Sequence, residues 1–511
     1  MYNVYSLFAI RAGLHPGHTA LVFRERKISY AQLSAEINQT AYTLDRLDVR
    51  HGSRVAYLLP NDPRSVAAFY ACQKLGAIAI PFNWRLKDTE MAAMVEECRC
   101  ACFLYDPFFT NIIRTLREKF PQIEFFPYSE AETAMTTSDD LAARRPENEN
   151  WEYYADPAAE APAFYALSGG STGKPKTIVH TQQSLVYVVL SRSGEYGFGQ
   201  EDVFLNYAPL FHFGGINFML GILSAATFIL MESFNAEDVM QTIAAWRVSH
   251  LFIIPATLCS QIKRSPSFGR LDLSSVRCAL IGGTVAFTSN LQDTFAVFTN
   301  PAFVVANGYG TTENGVTTML TLKRQDLDGD SLLFQSLGKP VYMSQIRLVD
   351  QAGNEVPAGK VGEAYGRSPA QMKGYLGQPD VPTGGWIATG DLLRADEKGY
   401  YYFMDRKKDL VRTGGENVFS FEVEKALLTH PDVEDCAVFG IPHHALGEAI
   451  VAAVVCRKGV EIPSEDALIR HCKSEIASYK KPQKIYFVER LPRTAVGKTD
   501  KKELRSRYAE F

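Results

Sequence analysis

The chain has 511 residues, a formal net charge of −4, and 46% hydrophobic and 22% charged residues. That length exceeds what one hydrophobic core usually serves, so a globular protein of at least two domains is expected. The scattered, nearly balanced charge offers no electrostatic footprint for nucleic acid, which is excluded as a partner at this stage.

The N-terminal run Met1-Tyr2-Asn3-Val4-Tyr5 lacks a basic n-region, and Arg11 interrupts the only short apolar stretch nearby. Export is not indicated and a cytoplasmic location is expected. Next come two β-branched runs, Arg54-Val55-Ala56-Tyr57-Leu58-Leu59 and Ala77-Ile78-Ala79-Ile80-Pro81, flanking residues 63–75 with apolar positions at helical spacing. This is a βαβ signal. Of the nine cysteines only Cys98-Arg99-Cys100-Ala101-Cys102 clusters; the spacing fits no usual zinc pattern, so buried reduced thiols are expected. Residues 131–150 are polar and acidic and read as a surface connector.

Strand-like runs recur at residues 202–211, 250–254 and 276–281, and predict a large parallel or mixed sheet covered by helices. The longest apolar stretch, residues 216–231, is interrupted by Asn217, Gly221, Ser224 and Thr227 and is shorter than a membrane span. It predicts a buried helix leading into a strand, with peripheral membrane contact left open. After the aromatic run Tyr400-Tyr401-Tyr402-Phe403-Met404 comes the charged junction Asp405-Arg406-Lys407-Lys408-Asp409. A smaller α+β unit follows, with helices over 420–428 and 464–477 and a strand over 449–456.

One turn carries the densest chemistry: Leu167-Ser168-Gly169-Gly170-Ser171-Thr172-Gly173-Lys174-Pro175-Lys176. Glycines let backbone N–H groups approach an anion, hydroxyls add donors, and lysine adds a compact charge. Taken alone it reads equally as a solvated Gly/Ser/Thr loop. It is not a Walker A loop, because Pro175 follows Lys174 where that motif needs Ser or Thr and removes a donor.

Further motifs follow in order: Tyr309-Gly310-Thr311-Thr312-Glu313, Thr389-Gly390-Asp391, the junction 405–409, Gly414-Gly415-Glu416-Asn417, and Pro492-Arg493-Thr494-Ala495-Val496-Gly497-Lys498. Together with the opening Ile28-Ser29-Tyr30-Ala31-Gln32-Leu33, they resemble the adenylate-forming superfamily of acyl-CoA synthetases, peptide-synthetase adenylation domains and beetle luciferases. The resemblance covers essentially the whole chain. It implies an α/β fold with a large N-terminal domain, 1–404, built of βαβ sheets flanked by helices and binding ATP and the acyl group. A hinge over 405–409 and a small mobile α+β lid, 410–511, complete the expected architecture.

The implied chemistry is attack of a carboxylate on the α-phosphate of ATP, with Mg2+ assisting, followed by transfer of the acyl group to the thiol of CoA. On the family positions, Ser168, Gly169, Gly170, Ser171, Thr172, Gly173, Lys174 and Lys176 hold the β- and γ-phosphates. Thr312 donates to the α-phosphate and Glu313 is the Mg2+ ligand, a hard oxygen donor of the kind this ion takes alongside phosphates; read alone, Glu313 is a solvated glutamate. Gly283, Thr284, Asn307, Gly308 and Tyr309 enclose the adenine. Asp391 offers two acceptor oxygens to the ribose hydroxyls, though in isolation it reads as a turn residue, and Arg406 assists at ribose and phosphate. Lys498 is expected to stabilise the transferring phosphorus centre. Beside Lys501 and Lys502 it would otherwise read as a solvated basic tail, and only the motif reverses that. Lys408 matches the pivot, Gly414 and Gly415 the thiol tunnel. His212 matches an aromatic gate and Phe213, Gly214 and Gly215 the acyl pocket; a histidine between phenylalanines otherwise reads as core.

Two departures lie at the phosphate loop: Gly169 stands at the usual serine position and Thr177 at the usual glycine. They bring the run closer to aryl-acid activating enzymes that load carrier proteins. Phe213-Gly214-Gly215-Ile216 lacks the asparagine those enzymes carry and suggests an uncharged acyl group, of medium length or bulky. The partners expected are a small carboxylic acid and CoA, or alternatively a separate carrier protein, since Phe511 follows Lys498 too closely for a fused carrier domain. A homodimer stays open. A luciferase-type oxygenase, a nucleotide-binding regulator without turnover and a P-loop phosphotransferase are the rival readings. Intact Lys498, Glu313 and Asp391 oppose the regulator, and Pro175 opposes the phosphotransferase.

Overall fold

The computed structural model describes residues 3–129, 159–168, 176–253, 258–283, 288–328, 332–381, 385–494 and 499–509. The connector expected over 131–150 therefore lies outside the described residues. The chain falls into two compact units, Met1–Ile346 with Gly366–Ile387, and Arg347–Tyr365 with Ala388–Phe511. The fold is mixed α/β, as the sequence predicts.

In the first unit the βαβ signal is realised closely. Strands Arg54–Leu58 and Ile78–Pro81 pair in parallel across the helix Pro63–Leu75. That helix starts where it does because the Asp62 side chain caps it at Arg64 N, and Pro63 occupies the first turn, where a missing N–H is harmless. It stops at Gly76, whose φ of 65° suits glycine and where a Cβ would come within 2.7 Å of the His51 ring. The sheet runs Gly374–Tyr375, Lys176–Thr181, Pro162–Ser168, Ile78–Pro81, Arg54–Leu58, Cys102–Tyr105, Glu124–Pro127. Its central strands are buried on both faces, which is why they read as continuous apolar runs. Cys98, Cys100 and Cys102 are buried thiols, and burial pushes the pKa of Cys98 and of Cys102 up to about 12.

The second sheet of this unit carries the runs predicted near 202, 250 and 276 as Val203–Asn206, His250–Ile253 and Cys278–Gly282. Cys278–Gly282 pairs in parallel with both His250–Ile253 and Val304–Thr311. Val304–Thr311 then turns back antiparallel as Gly315–Lys323. The buried helix expected over 216–231 is instead two 3₁₀ turns, Phe213–Met219 and Ile222–Ser224, before the strand Thr227–Leu230. The physical reason is close packing at Gly221, where a Cβ would lie 2.5 Å from the Phe228 ring and 3.0 Å from Ala226 Cβ. A further constraint is the buried Arg192 guanidinium, which donates to Asn217 Oδ1 at 2.8 Å and fixes this stretch from the side.

The second unit contains most of each of the strands Gln345–Val349, Val361–Arg367 and Ile387–Ala395, and all of Tyr401–Arg406, neighbours in that order. It also contains a five-stranded sheet centred on the long antiparallel pair Val433–His443 and Gly447–Cys456. Alternation along that pair sends Val438, Ile450, Ala452 and Val454 to one face, against Val423, Leu427, Leu468 and Cys472 of helices Ser420–Leu428 and Glu465–Glu475. Phe439, Ile441, Ala449 and Val451 point the other way, where Leu504 of the helix Lys501–Arg507 closes the core. Both predicted helices and the predicted strand of this region are present, with Ser464 serving as an N-cap rather than as the first helical residue.

Candidate active site

The phosphate-loop strands form an antiparallel hairpin, Pro162–Ser168 with Lys176–Thr181, in which Ser168 stands opposite Lys176. Residues 169–175, and with them Gly169, Gly170, Ser171, Thr172, Gly173 and Lys174, lie outside the described residues. Thr284 and Lys498 do so as well, as do the side chains of Phe213, Gly214 and Gly215. The described residues on either side of the phosphate loop and of the Lys498 motif pair with each other: Ser168 stands opposite Lys176, and Arg493 bridges Thr499 antiparallel, its guanidinium donating to Thr499 Oγ1 at 2.9 Å.

Thr312 and Glu313 sit at the tip of a tight hairpin in which Thr311 pairs with Gly315. Only glycine fits at Gly310, because a Cβ there would lie 2.0 Å from the Gly315 carbonyl oxygen. The tip is tied to the phosphate-loop hairpin and to the segment that pairs with it. His180 Nε2 donates to the Thr312 carbonyl at 2.9 Å, leaving Nδ1, 3.2 Å from Ser184 Oγ, as the acceptor. Burial pulls the His180 pKa down to about 4, so the ring is neutral. Met372 N donates to the Glu313 carbonyl at 2.7 Å, and Tyr375 Oη donates to Glu313 Oε1 at 3.0 Å. The Lys176 ammonium lies 4.6 Å from the centre of the Tyr375 ring.

Gly283 follows the C-terminal end of Cys278–Gly282, with φ of 74°, while Asn307 and Gly308 pair with Ile281 and Gly282 on the next parallel strand. Gly282 is closely packed too: a Cβ would sit 3.3 Å from the Gly308 carbonyl oxygen, tighter than ordinary van der Waals contact. Gly283, Asn307, Gly308 and Tyr309 are thus brought together at the carboxyl ends of parallel strands, the edge where open α/β sheets receive ligands. His212 closes a loop pinned by Asn61, whose side chain donates to the Ala208 and Met231 carbonyls and accepts from Leu210 N at 2.7 Å. The His212 ring packs on Phe211 at 4.4 Å, and Phe211 meets Trp84 edge-on at 5.7 Å.

Within the second unit, Asp391 and Arg406 face each other on antiparallel strands, with Arg406 Nε 3.4 Å from Asp391 Oδ1. Gly390, at φ 73°, turns the chain so that Asp391 N donates to Thr389 Oγ1 at 3.1 Å. Lys408 is exposed, between two anchored carboxylates. Asp405 accepts from Ser420 N and, at 3.1 Å, from Ser420 Oγ, whereas Asp409 Oδ1 accepts from Arg505 at 2.9 Å. The Lys501 ammonium reaches Glu424 Oε1 at 2.7 Å and Ser420 Oγ at 2.9 Å. Burial outweighs Lys501 and the hydrogen bonds and pushes the Asp405 pKa up to about 6. Gly414 and Gly415 form the two-residue connection of the hairpin Val411–Thr413 with Glu416–Val418, with φ of 58° and 84°. A two-residue hairpin turn with both central residues at positive φ favours glycine, a backbone reason independent of any thiol.

Reading the sequence alone does not reach His180, Tyr375, Asn61 or Trp84. Each acts on a partner far along the chain, and none carries a local signal of its own.

Residues 8–376 match the AMP-binding enzyme family and residues 422–498 its C-terminal domain. The chain is 30% identical over 504 residues to indoleacetate–CoA ligase of Aromatoleum aromaticum, covering 98% of this chain and 96% of that one. It is 30% identical over 509 residues to the fatty acid–[acyl-carrier-protein] ligase ScoC of Streptomyces coeruleorubidus, covering 96% and 94%. Among solved structures, o-succinylbenzoate CoA synthetase of Bacillus subtilis, in complex with its acyl-adenylate intermediate, superimposes with a TM-score of 0.83 at 27% identity, over 99% of this chain and 98% of that one. With both parts matched in order over nearly the whole length, the chain belongs to the AMP-binding enzyme family and is an AMP-forming acid–thiol ligase.

Proposed function

We propose that this ligase couples Mg-ATP to a carboxylic acid, releases pyrophosphate, and passes the acyl group from the acyl-adenylate to the thiol of CoA. The observation that carries the reading is the junction of the Thr312–Glu313 hairpin with the phosphate-loop strand through His180. It sets a hydroxyl and a carboxylate beside the strand Lys176–Thr181, which follows the Gly/Ser/Thr/Lys motif in sequence, and such groups are what attack at a triphosphate requires. Glu313 is a hard donor at a half-buried tip, and one carboxylate with phosphate oxygens is the donor set Mg2+ accepts. When bound, Mg2+ neutralises charge on the phosphate oxygens. Thr312 donates to the α-phosphate, Ser168 and Lys176 with residues 169–174 hold the β- and γ-phosphates, and Gly283, Thr284, Asn307, Gly308 and Tyr309 enclose the adenine. Asp391 accepts from the ribose hydroxyls, oriented by Arg406.

Lys498 supplies the charge that stabilises the pentacoordinate centre. A pivot at Lys408, within a 405–409 hinge between 1–404 and 410–511, then exchanges Lys498 for Gly414 and Gly415 at the site, which opens a path for the thiol. His212 gates the pocket formed with Phe213, Gly214 and Gly215. A small carboxylic acid, CoA and no nucleic acid are the partners of this reading, in the cytoplasm. Among the described residues no helix is long and apolar enough to cross a membrane.

The test is acid-dependent pyrophosphate release from Mg-ATP across short, medium, long, aryl and arylacetic acids, with and without CoA. Pyrophosphate with an acyl-CoA product supports the reading. Pyrophosphate with acyl transfer only to a separate carrier protein replaces CoA as acceptor, an alternative favoured by the likeness to ScoC and by Gly169 and Thr177. No pyrophosphate with any acid overturns the activity.

A further inference from the structure

Tyr375 touches both halves of the phosphate site at once. Its hydroxyl donates to Glu313 Oε1 at 3.0 Å, and the Lys176 ammonium lies over its ring at 4.6 Å from the centroid. The ring has little freedom to leave. Gly374 and Tyr375 pair antiparallel with Val179 and Ile178, next to Lys176 on the same strand. Lys373 N donates to the Val179 carbonyl at 2.7 Å and Leu376 N to the Thr177 carbonyl at 2.9 Å, so hydrogen bonds flank Tyr375 on both sides. Three residues earlier, Met372 N holds the backbone of Glu313 itself.

We infer that Tyr375 is a positioning residue for cation binding: its hydroxyl fixes one carboxylate oxygen of Glu313 so that the other is presented to Mg2+. The inference rests on the assignment of Glu313 as the Mg2+ ligand. A phenol is suited to this task because it is a neutral donor. It orients the carboxylate without cancelling its charge, whereas a lysine or arginine there would form an ion pair that competes with the divalent ion. By its face the same ring attracts the Lys176 ammonium, a contact that survives loss of the hydroxyl. The two contacts are therefore separable by substitution.

The experiment follows the six-line electron paramagnetic resonance signal of free Mn2+, titrated into protein with ATP and no acid, so that nothing turns over. Tyr375→Phe keeps the ring and the fold. It is expected to raise the Mn2+ concentration for half-saturation about tenfold, the scale of one hydrogen bond to a charged group, with affinity for metal-free ATP within twofold of wild type. Tyr375→Leu is expected to weaken both Mn2+ and ATP binding, since Lys176 loses its platform as well. Glu313→Gln separates the two levels of the argument. If it weakens Mn2+ binding and Tyr375→Phe leaves it unchanged, the positioning role is overturned while the ligand assignment stands. If Glu313→Gln itself leaves Mn2+ binding unchanged, the ligand assignment fails and the role of Tyr375 falls with it.

Discussion

Asp391 and Arg406 stand directly opposite one another on antiparallel strands, with the guanidinium Nε 3.4 Å from the buried carboxylate. The arrangement holds the Asp391 carboxylate in place where it is proposed to meet a ribose. Asp391→Ala is expected to raise the dissociation constant for ATP at least tenfold, as befits loss of hydrogen bonds to a charged acceptor. It should leave the rate of thioester formation from a supplied acyl-adenylate far less affected. Unchanged ATP affinity by equilibrium binding would remove the ribose assignment.

Lys498→Ala is expected to lower the rate of adenylation by about a hundredfold or more, the scale of losing one preorganised charge contact at a transition state. Thioester formation from supplied acyl-adenylate should persist. Single-turnover measurement of the two half-reactions checks this, and equal loss of both would count against a lysine that serves only the first.

Gly310→Ala tests the hairpin that presents Thr312 and Glu313. With a Cβ built 2.0 Å from the Gly315 carbonyl oxygen, the backbone has to move. A loss of about 2–4 kcal/mol in stability is expected, together with loss of pyrophosphate release. A variant with normal stability and activity would mean that the tip geometry is not what the reaction uses.

The acid stability of the protein has contributions of opposite sign. The neutral buried rings of His180 and His250 have pKa values drawn down to about 4 from 6.5. Their unfolded forms bind protons first, so stability is lost as the pH falls from about 6.5 towards 4. Asp405 runs the other way: its pKa is about 6 folded against 3.8 in the reference state, so its contribution falls as the pH rises from about 4 to 6. Thermal melts at pH 5 and pH 7 are expected to show Asp405→Asn losing this opposing component. Compared with wild type, the variant should lose more stability between pH 7 and pH 5. An identical pH dependence would show that Asp405 does not titrate in that window.

Much of the first unit was legible because its signals are local. The helix Pro63–Leu75 announces its own start through Asp62 and Pro63 and its own end through Gly76, and the flanking strands follow from β-branched runs. In the segment 216–231 the expected strand is present as Thr227–Leu230, but the expected helix before it is not, because hydrophobicity says only that the stretch is buried. What decides its form is the ring of Phe228 against Gly221 and the reach of Arg192 to Asn217. Among the candidate residues, Thr312, Glu313 and Asp391 are singled out by short motifs, whereas His180 and Tyr375 carry no motif of their own. His180 reads as one polar residue in a buried strand until Thr312, 132 positions away, is placed against it.

The two carboxylates flanking Lys408 have different fates under a pivot at that residue. Asp409 lies beyond the turning point and travels with Arg505, so its ion pair is carried along intact. Asp405 lies before it, while Ser420 and Lys501, its neighbours, lie after. Rotation would therefore remove the two hydrogen bonds from Ser420, leave Asp405 the one from Arg406 N at 2.7 Å, and expose it to water, where a carboxylate ionises readily. The proposed change of half-reaction would thus be accompanied by release of a proton between about pH 4 and 6, and the acidity of the surroundings in that window would bias which of the two arrangements the enzyme occupies between turnovers.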